Sequence, residues 1–347
     1  MVEVKRLGII LKPTEYDFEN LAVLNPGVFQ EGNFVHMFYR AVDKEHRSSI
    51  GYAKFKGPDE LIERWEKPII GRDFDYESMG VEDPRIVKID DTFYLSYVAH
   101  DGKNAVTCLA TGKDFKNLKK MGVITPQITY NDAEDIFKDA RLKDAYFLHA
   151  SIYEKRGGGD ILLWAKDTFL FPRKIGEKFF LVTRVLPDIQ IVSFNDFKEL
   201  TGEFWKDRLK NLSDYVVLEN KHWFETRHIG GGCPPVETKN GWVFIFHAVE
   251  DRNVGRVYHT CSALLDKENP LKVIGRLHEP LFSPKEDWEI SGSTPDVVFA
   301  TGTALFGDTL YIYYGAADQQ IAVAEVNINR LVKEMLDPAK GHDCERK

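Results

Sequence analysis

Apolar and polar positions alternate in five short runs, each entered through a polar turn: GNFVHMFYRAV from Gly32, DTFYLSYVAHD from Asp91, EKFFLVTR from Glu177, NGWVFIFHAVED from Asn240 and DTLYIYYGAAD from Asp308. A Gly, Asn or Asp turn followed by period-two alternation of β-branched and aromatic residues predicts a half-buried hairpin strand in each copy. The copies recur about every sixty to eighty-five residues, the spacing expected of a repeat architecture with one strong hairpin per unit. The pattern therefore predicts an all-β fold, a five-bladed β-propeller forming one domain over residues 1–347. Such a fold would gather the strand tails Tyr39-Arg40, His100-Asp101, Arg184, His247 with Glu250, and Asp318 around one wet funnel.

Two stretches break the rhythm. Residues 131–159 begin with a capped segment, Asn131 to Leu142, that reads as a short helix or ordered loop, and end in the flexible run Gly157 to Gly159. Residues 195–212, rich in Phe, Trp, Lys and Asp, read as a surface elaboration of helical or extended character. After Val326 the run INRLVKEMLDP predicts a short C-terminal helix stopped by Pro338, with a disordered tail over 339–347.

The chain of 347 residues, 43% hydrophobic and 12% aromatic, is large enough to bury an extensive core. Its net charge of −8 argues against a general nucleic-acid binder, though it permits a local cationic pocket. Cys108, Cys233, Cys261 and Cys344 show neither a CxxC spacing nor a disulfide framework, and no histidine pair has a metal-ligand spacing, so no metal is expected. Without a signal-peptide pattern or a run long enough to span a bilayer, the sequence points to a soluble cytoplasmic protein with no membrane partner. The terminal helix and the apolar N-terminal stretch are the candidate surfaces for a second subunit.

Three segments concentrate chemistry. In YESMGVEDPRIV, Pro84 is expected to hold Asp83 extended, and a carboxylate fixed at a strand mouth suits a general acid or a sugar-hydroxyl acceptor. An adjacent Glu82 would point away from it by strand alternation, which disfavours a retaining glycosidase with carboxylates about 5–5.5 Å apart. In WFETRHIGGGCPPVE, Gly230 to Gly232 let backbone approach a ligand beside Arg227 and His228. In FHAVED and VYHTCSALLD, His247 and Tyr258 can both hydrogen-bond an anion. Such a carboxylate-and-cation funnel speaks against a pure protein scaffold, the other common use of propellers.

Taken together, LNPGVF, FYRAV, GVEDPRI, KDTFLFPRKI, HIGGGCPP, FHAVED, VYHTCSALLD and YYGAAD resemble the mannoside phosphorylases and related mannosidases of glycoside hydrolase family 130, from about Leu24 to Val326. The resemblance implies a five-bladed propeller. It also implies that Asp83 is the catalytic acid, acting through the sugar's own 3-hydroxyl, and that Asn25, Arg40, Arg47, Ser48 and Asp318 hold the mannosyl unit. Lys166, Arg184, His228, His247 and Tyr258 match the phosphate pocket, with His228 departing from the lysine usual before IGxG. Inorganic phosphate would be the co-substrate and no cofactor is implied. The expected reaction is inverting phosphorolysis of a terminal β-mannoside to α-mannose 1-phosphate. The alternative is an inverting β-mannosidase with Glu225 or Glu250 as base, about 6.5–9.5 Å from the acid.

Overall fold

A computed structural model describes residues 2–138 and 140–337; the expected tail at 339–347 and the stop at Pro338 lie outside the described residues. The chain is mostly β with few helices. Strand β1 (Lys5–Leu11) is followed by five antiparallel units: β2 (Ala22–Glu31), β3 (Phe34–Val42), β4 (Ser48–Lys56) and β5 (Glu60–Arg64); β6 (Gly80–Ile89), β7 (Thr92–His100), β8 (Ala105–Gly112) and β9 (Lys119–Val123); β10 (Phe169–Leu170), β11 (Phe179–Thr183), β12 (Ile189–Phe194) and β13 (Val216–Leu218); β14 (His228–Gly231), β15 (Val236–Thr238), β16 (Gly241–Asp251), β17 (Arg256–Leu265) and β18 (Val273–Arg276); and β19 (Val298–Phe306), β20 (Thr309–Ala316) and β21 (Gln320–Asn327). One parallel bridge, Ser48 to Gly80, links the first two units. The fifth is completed by β1, which pairs with β21 and ties the N-terminal strand to the last hairpin.

All five alternating runs form the second strand of their unit, β3, β7, β11, β16 and β20, where β14 and β15 count together as the first strand of the fourth because both pair along β16. Their turns carry positive φ at Gly32, Asp90, Glu177, Gly241 and Gly307, residue types that mostly tolerate that region cheaply. These strands are buried on both faces rather than one, since β11 is buried throughout and β16 through its first nine residues. The reason is the packing: apolar side chains of each unit meet those of the next. Tyr52 shares a core cluster with Leu95, Leu109 with Leu181, Val182 with Phe244, Ile245 with Ile312, and Tyr313 with Met37 of the first unit. The fifth and first units are also joined by a polar link, Thr301 Oγ1 donating to the Pro26 carbonyl at 3.0 Å. At Gly27 a Cβ would lie 2.5 Å from the Pro84 carbonyl oxygen, so only glycine allows β2 this close to β6.

A buried glutamate recurs beneath four units. Glu19, Glu77, Glu225 and Glu289 are at most 1% exposed, and each meets a cation from the outer strand of its unit: Arg64, Lys120, Arg276 and Arg6. Tyrosines from three second strands donate to them, Tyr39 to Glu19, Tyr97 to Glu77 and Tyr314 to Glu289. Tyr39 thus belongs to this internal network and not to a funnel. Replacing Glu77 with Ala would leave the Tyr97 hydroxyl without its acceptor and Lys120 held by Asp73 and the Gly71 carbonyl; we expect a loss of about 1–3 kcal/mol, read as a lower urea midpoint.

The insertions are helical. The 131–159 insertion is entered by α1 (Tyr130–Phe137), which starts one residue before it, and holds a second helix, α2 (Asp144–Gly157), that the broken strand rhythm did not define; 195–212 contains α3 (Gly202–Lys210). A single helical turn, α4 (Asp287–Ile290), precedes β19. The C-terminal α5 (Ile328–Met335) turns Ile328, Leu331, Val332 and Met335 into the core between the fourth and fifth units. That face of α5 and one edge of β1 are therefore engaged within the chain. Among the described residues no helix is long and apolar enough to cross a membrane.

Candidate active site

The first strands deliver the chemistry through bulges. Asn25-Pro26 in β2 and Asp83-Pro84 in β6 break the pairing register between Leu24 and Gly27 and between Glu82 and Arg85. Asn25 and Asp83 take positive φ, 48° and 49°, a conformation Asx residues accept more readily than most. Asp83 is thus not extended as Pro84 suggested; a proline without an N–H is tolerated because the bulge leaves that ladder position unpaired. The bulge also cancels strand alternation. Glu82 and Asp83 do not point apart but meet one guanidinium, with Arg40 Nη2 2.8 Å from Glu82 Oε1 and Nη1 3.7 Å from Asp83 Oδ1.

Asn25 Nδ2 donates to Asp83 Oδ1 at 2.8 Å, and Arg40 Nε donates to Ser48 Oγ at 2.8 Å. Lys166 Nζ reaches Glu82 Oε2 at 3.1 Å. Burial alone would raise the Glu82 carboxyl, yet Arg40 and Lys166 outweigh it and hold it at about 2. Asp318, in the turn after β20, faces the same group: burial and nearby Asp83 raise its carboxyl against Thr294 and Arg40. Arg47 stands apart from the carboxylates. Its Nε donates to Asp43 at 3.1 Å, and it lines, with Ser48, Arg72 and Phe74, a cleft of about 450 Å³. Asn25, Arg40, Ser48, Asp83, Lys166 and Asp318 are therefore brought together; Asp101 instead caps its own turn through the Lys103 and Asn104 amides.

A second cluster lies beside the first. Arg184, His228, His247 and Tyr258 converge on Asp167, a residue the sequence reading did not select although it directly follows Lys166. Asp167 is 3% exposed, with Oδ2 2.6 Å from Arg184 Nη1 and 3.8 Å from His247 Nε2, and Oδ1 3.7 Å from Arg85 Nη2. It shares positive φ, 57°, with Asn25 and Asp83. His247 is ringed by His228 at 6.0 Å and Tyr258 at 6.1 Å between centroids. From α2, His149 donates to the Arg227 carbonyl at 3.1 Å and packs against His228. Six buried atoms here carry no protein hydrogen bond among the described residues: Asp167 Oδ2, Arg184 Nε, Arg85 Nη2, His228 Nδ1 and both nitrogens of His247. Buried polar atoms are seldom left so.

Charge in this cluster is narrower than residue types suggest. Burial, opposed by Asp167 and reinforced by Arg184 and Arg85, holds His247 at about 4, and burial with Arg184 pushes His228 well below its usual range. Both imidazoles are neutral at neutral pH, so the fixed cations are Lys166, Arg184 and Arg85. The unfolded chain protonates His247 near pH 6.5, the folded chain only near 4. Stability from this residue is intact above pH 6.5 and is lost as pH falls towards 4, by roughly 3 kcal/mol. Glu82 acts lower, its contribution present above about 4.5 and lost as pH falls through about 2. Urea midpoints across pH 7 to 4.5 should decline in the wild type and decline less in His247→Gln.

Neither expected alternative base is free. Glu225 accepts from the Lys221 and His222 amides at 2.8 and 3.0 Å and from Arg276. Glu250 faces Arg252 at 3.0 Å and His259 at 3.2 Å, which outweigh burial and lower its pKa. Among the described residues no group of three His, Cys, Asp or Glu side chains is placed to hold a metal ion.

A mostly-β chain with paired carboxylates at the bulge of β6 beside a buried polar cluster fits a carbohydrate-active class. The chain belongs to glycoside hydrolase family 130: the family model described as β-1,4-mannooligosaccharide phosphorylase matches residues 4–157 and 148–337. A 1,2-β-oligomannan phosphorylase from a Thermoanaerobacter species is 32% identical over 339 residues, covering 93% of this chain and 97% of the relative. A β-1,2-mannobiose phosphorylase from the same organism is 32% identical over 334 residues, 91% and 94% of the two chains. The solved β-1,2-mannobiose phosphorylase of Listeria innocua shares the fold at TM-score 0.72 and 23% identity, over 96% of this chain and 99% of that one. Another solved relative, at TM-score 0.70, 20% identity and 93% of both chains, comes from work describing family members that hydrolyse β-1,2 mannosidic linkages.

Proposed function

We propose that the five units are the blades of one five-bladed β-propeller catalytic domain, and that it phosphorolyses terminal β-mannosides with inversion. Support for the propeller reading comes from the five cores packed unit against unit in cyclic order, the last against the first. The reaction reading rests on one observation above all: six buried polar atoms without a hydrogen bond among the described residues, gathered around Arg184, His247 and Asp167, beside the Lys166–Glu82–Arg40 bridge that adjoins Asp83.

In this account Asn25, Arg40, Ser48 and Asp318 hold the terminal mannosyl ring, with Arg47 lining the adjoining cleft. Asp83, its Oδ1 fixed by Asn25, supplies the proton that reaches the departing oxygen through the ring 3-hydroxyl. Phosphate, already anionic, attacks the anomeric carbon from the opposite face under Lys166, Arg184, His228, His247 and Tyr258. No base is required, and the two carboxylates that hydrolysis would call on are engaged by Arg276 and by Arg252 with His259. The names of the two relatives at 32% identity point to β-1,2-linked substrates. The reverse reaction tests this: α-mannose 1-phosphate with mannose should yield a β-1,2-disaccharide and one phosphate per bond. Failure to release phosphate from the α anomer would overturn the assignment.

A further inference from the structure

Asp167 is an odd tenant for an anion pocket. A carboxylate placed among Arg184, Arg85 and His247 repels any anion that approaches them, and at 3% exposure no solvent screens it. Nor is it there only to neutralise Arg184. Its Oδ2 lies 2.6 Å from Arg184 Nη1 but off the N–H direction, and it remains without a hydrogen bond among the described residues. The same oxygen faces Gly230, where a Cβ would sit 2.8 Å from it and 2.4 Å from the His247 ring, so the glycine keeps both groups open to one small volume. Burial works against ionisation, but Arg184 foremost among its neighbours outweighs it and holds Asp167 below the usual carboxylate range. An ionised carboxylate can only accept hydrogen bonds.

We propose that Asp167 is a specificity residue of the pocket: its Oδ2 accepts a hydrogen bond from the P–OH of bound hydrogen phosphate, so the site admits tetrahedral anions that still carry a proton and rejects those that do not. The inference rests on the phosphate reading of this pocket. Arg184 Nε, Arg85 Nη2 and the single N–H of each neutral imidazole donate to the unprotonated oxygens, and the proton stays on phosphate while bound. An anion with no O–H would place an oxygen lone pair against Asp167, a like-charge contact with no hydrogen bond to offset it.

Calorimetric titration of the full-length enzyme with phosphate, arsenate, sulfate and monofluorophosphate at neutral pH tests this. The first two carry a proton there; the last two do not. We expect phosphate and arsenate to bind within a few-fold of each other and the unprotonated pair at least about a hundredfold more weakly, the size of discrimination that an unpaired buried polar group can impose. In Asp167→Asn the amide can donate to an unprotonated oxygen, and sulfate should gain at least about tenfold relative to phosphate. Sulfate binding as well as phosphate in the wild type, or an unmoved ratio in a folded Asp167→Asn, overturns the role of Asp167 while leaving the phosphate site standing. Binding of none of the four anions overturns the phosphate reading and this inference with it. Should Asp167→Asn not fold, the wild-type series alone decides.

Discussion

Replacing Asp83 with Asn is expected to slow phosphorolysis of a natural mannobiose by about a thousandfold, within the range general acid catalysis usually contributes. The loss should fall on kcat, because Asn keeps the acceptor oxygen that Asn25 Nδ2 binds and the bulge conformation that Asx residues tolerate. An aryl mannoside, whose leaving group needs little protonation, should recover much of the rate. That recovery separates a proton donor from a side chain that only shapes the pocket. Near-normal turnover of mannobiose by the folded variant would remove Asp83 from the proposed role.

Arg184→Ala is expected to act on the other substrate. A hydrogen bond to a charged group contributes about 1.5–3 kcal/mol, so the KM for phosphate should rise about ten- to a hundredfold with the KM for the mannoside little changed. The direction is reinforced by Asp167, which loses the cation at 2.6 Å and is left to repel the incoming anion. Added guanidinium should restore part of the phosphate dependence. An unchanged phosphate KM would exclude Arg184 from the pocket.

Much of this organisation was legible in the chain. The five turn-and-alternation runs marked every second strand, because hairpin turns and strand periodicity are local properties of sequence. Another repeat went unread: an aromatic residue followed by glutamate, at Phe18-Glu19, Tyr76-Glu77, Phe224-Glu225 and Trp288-Glu289. Each glutamate accepts side-chain donors from its own unit, and the repeat, once recognised, places Glu225 among the buried structural acids rather than the candidate bases. Local rules misled at the bulges. Pro84 argued for an extended Asp83, and alternation argued that Glu82 faced away; the inserted residues of β6 reversed both, through a register break that depends on the neighbouring strands. Asp167 was passed over although KDTFLFPRKI contains it, because an Asp-Thr pair in a short loop shows no chemistry of its own; what distinguishes it is the company of Arg184 from its own unit and of Arg85 and His247 from the units on either side. The neutrality of His228 and His247 was equally invisible, since burial sets it and residue type does not.

The most direct measurement follows β-1,2-mannobiose by phosphorus NMR with and without inorganic phosphate. The account predicts α-mannose 1-phosphate and mannose in equal amounts, formed only when phosphate is present. Free mannose as the sole product, at a rate indifferent to phosphate, would contradict it and make the chain a hydrolase built on the same site.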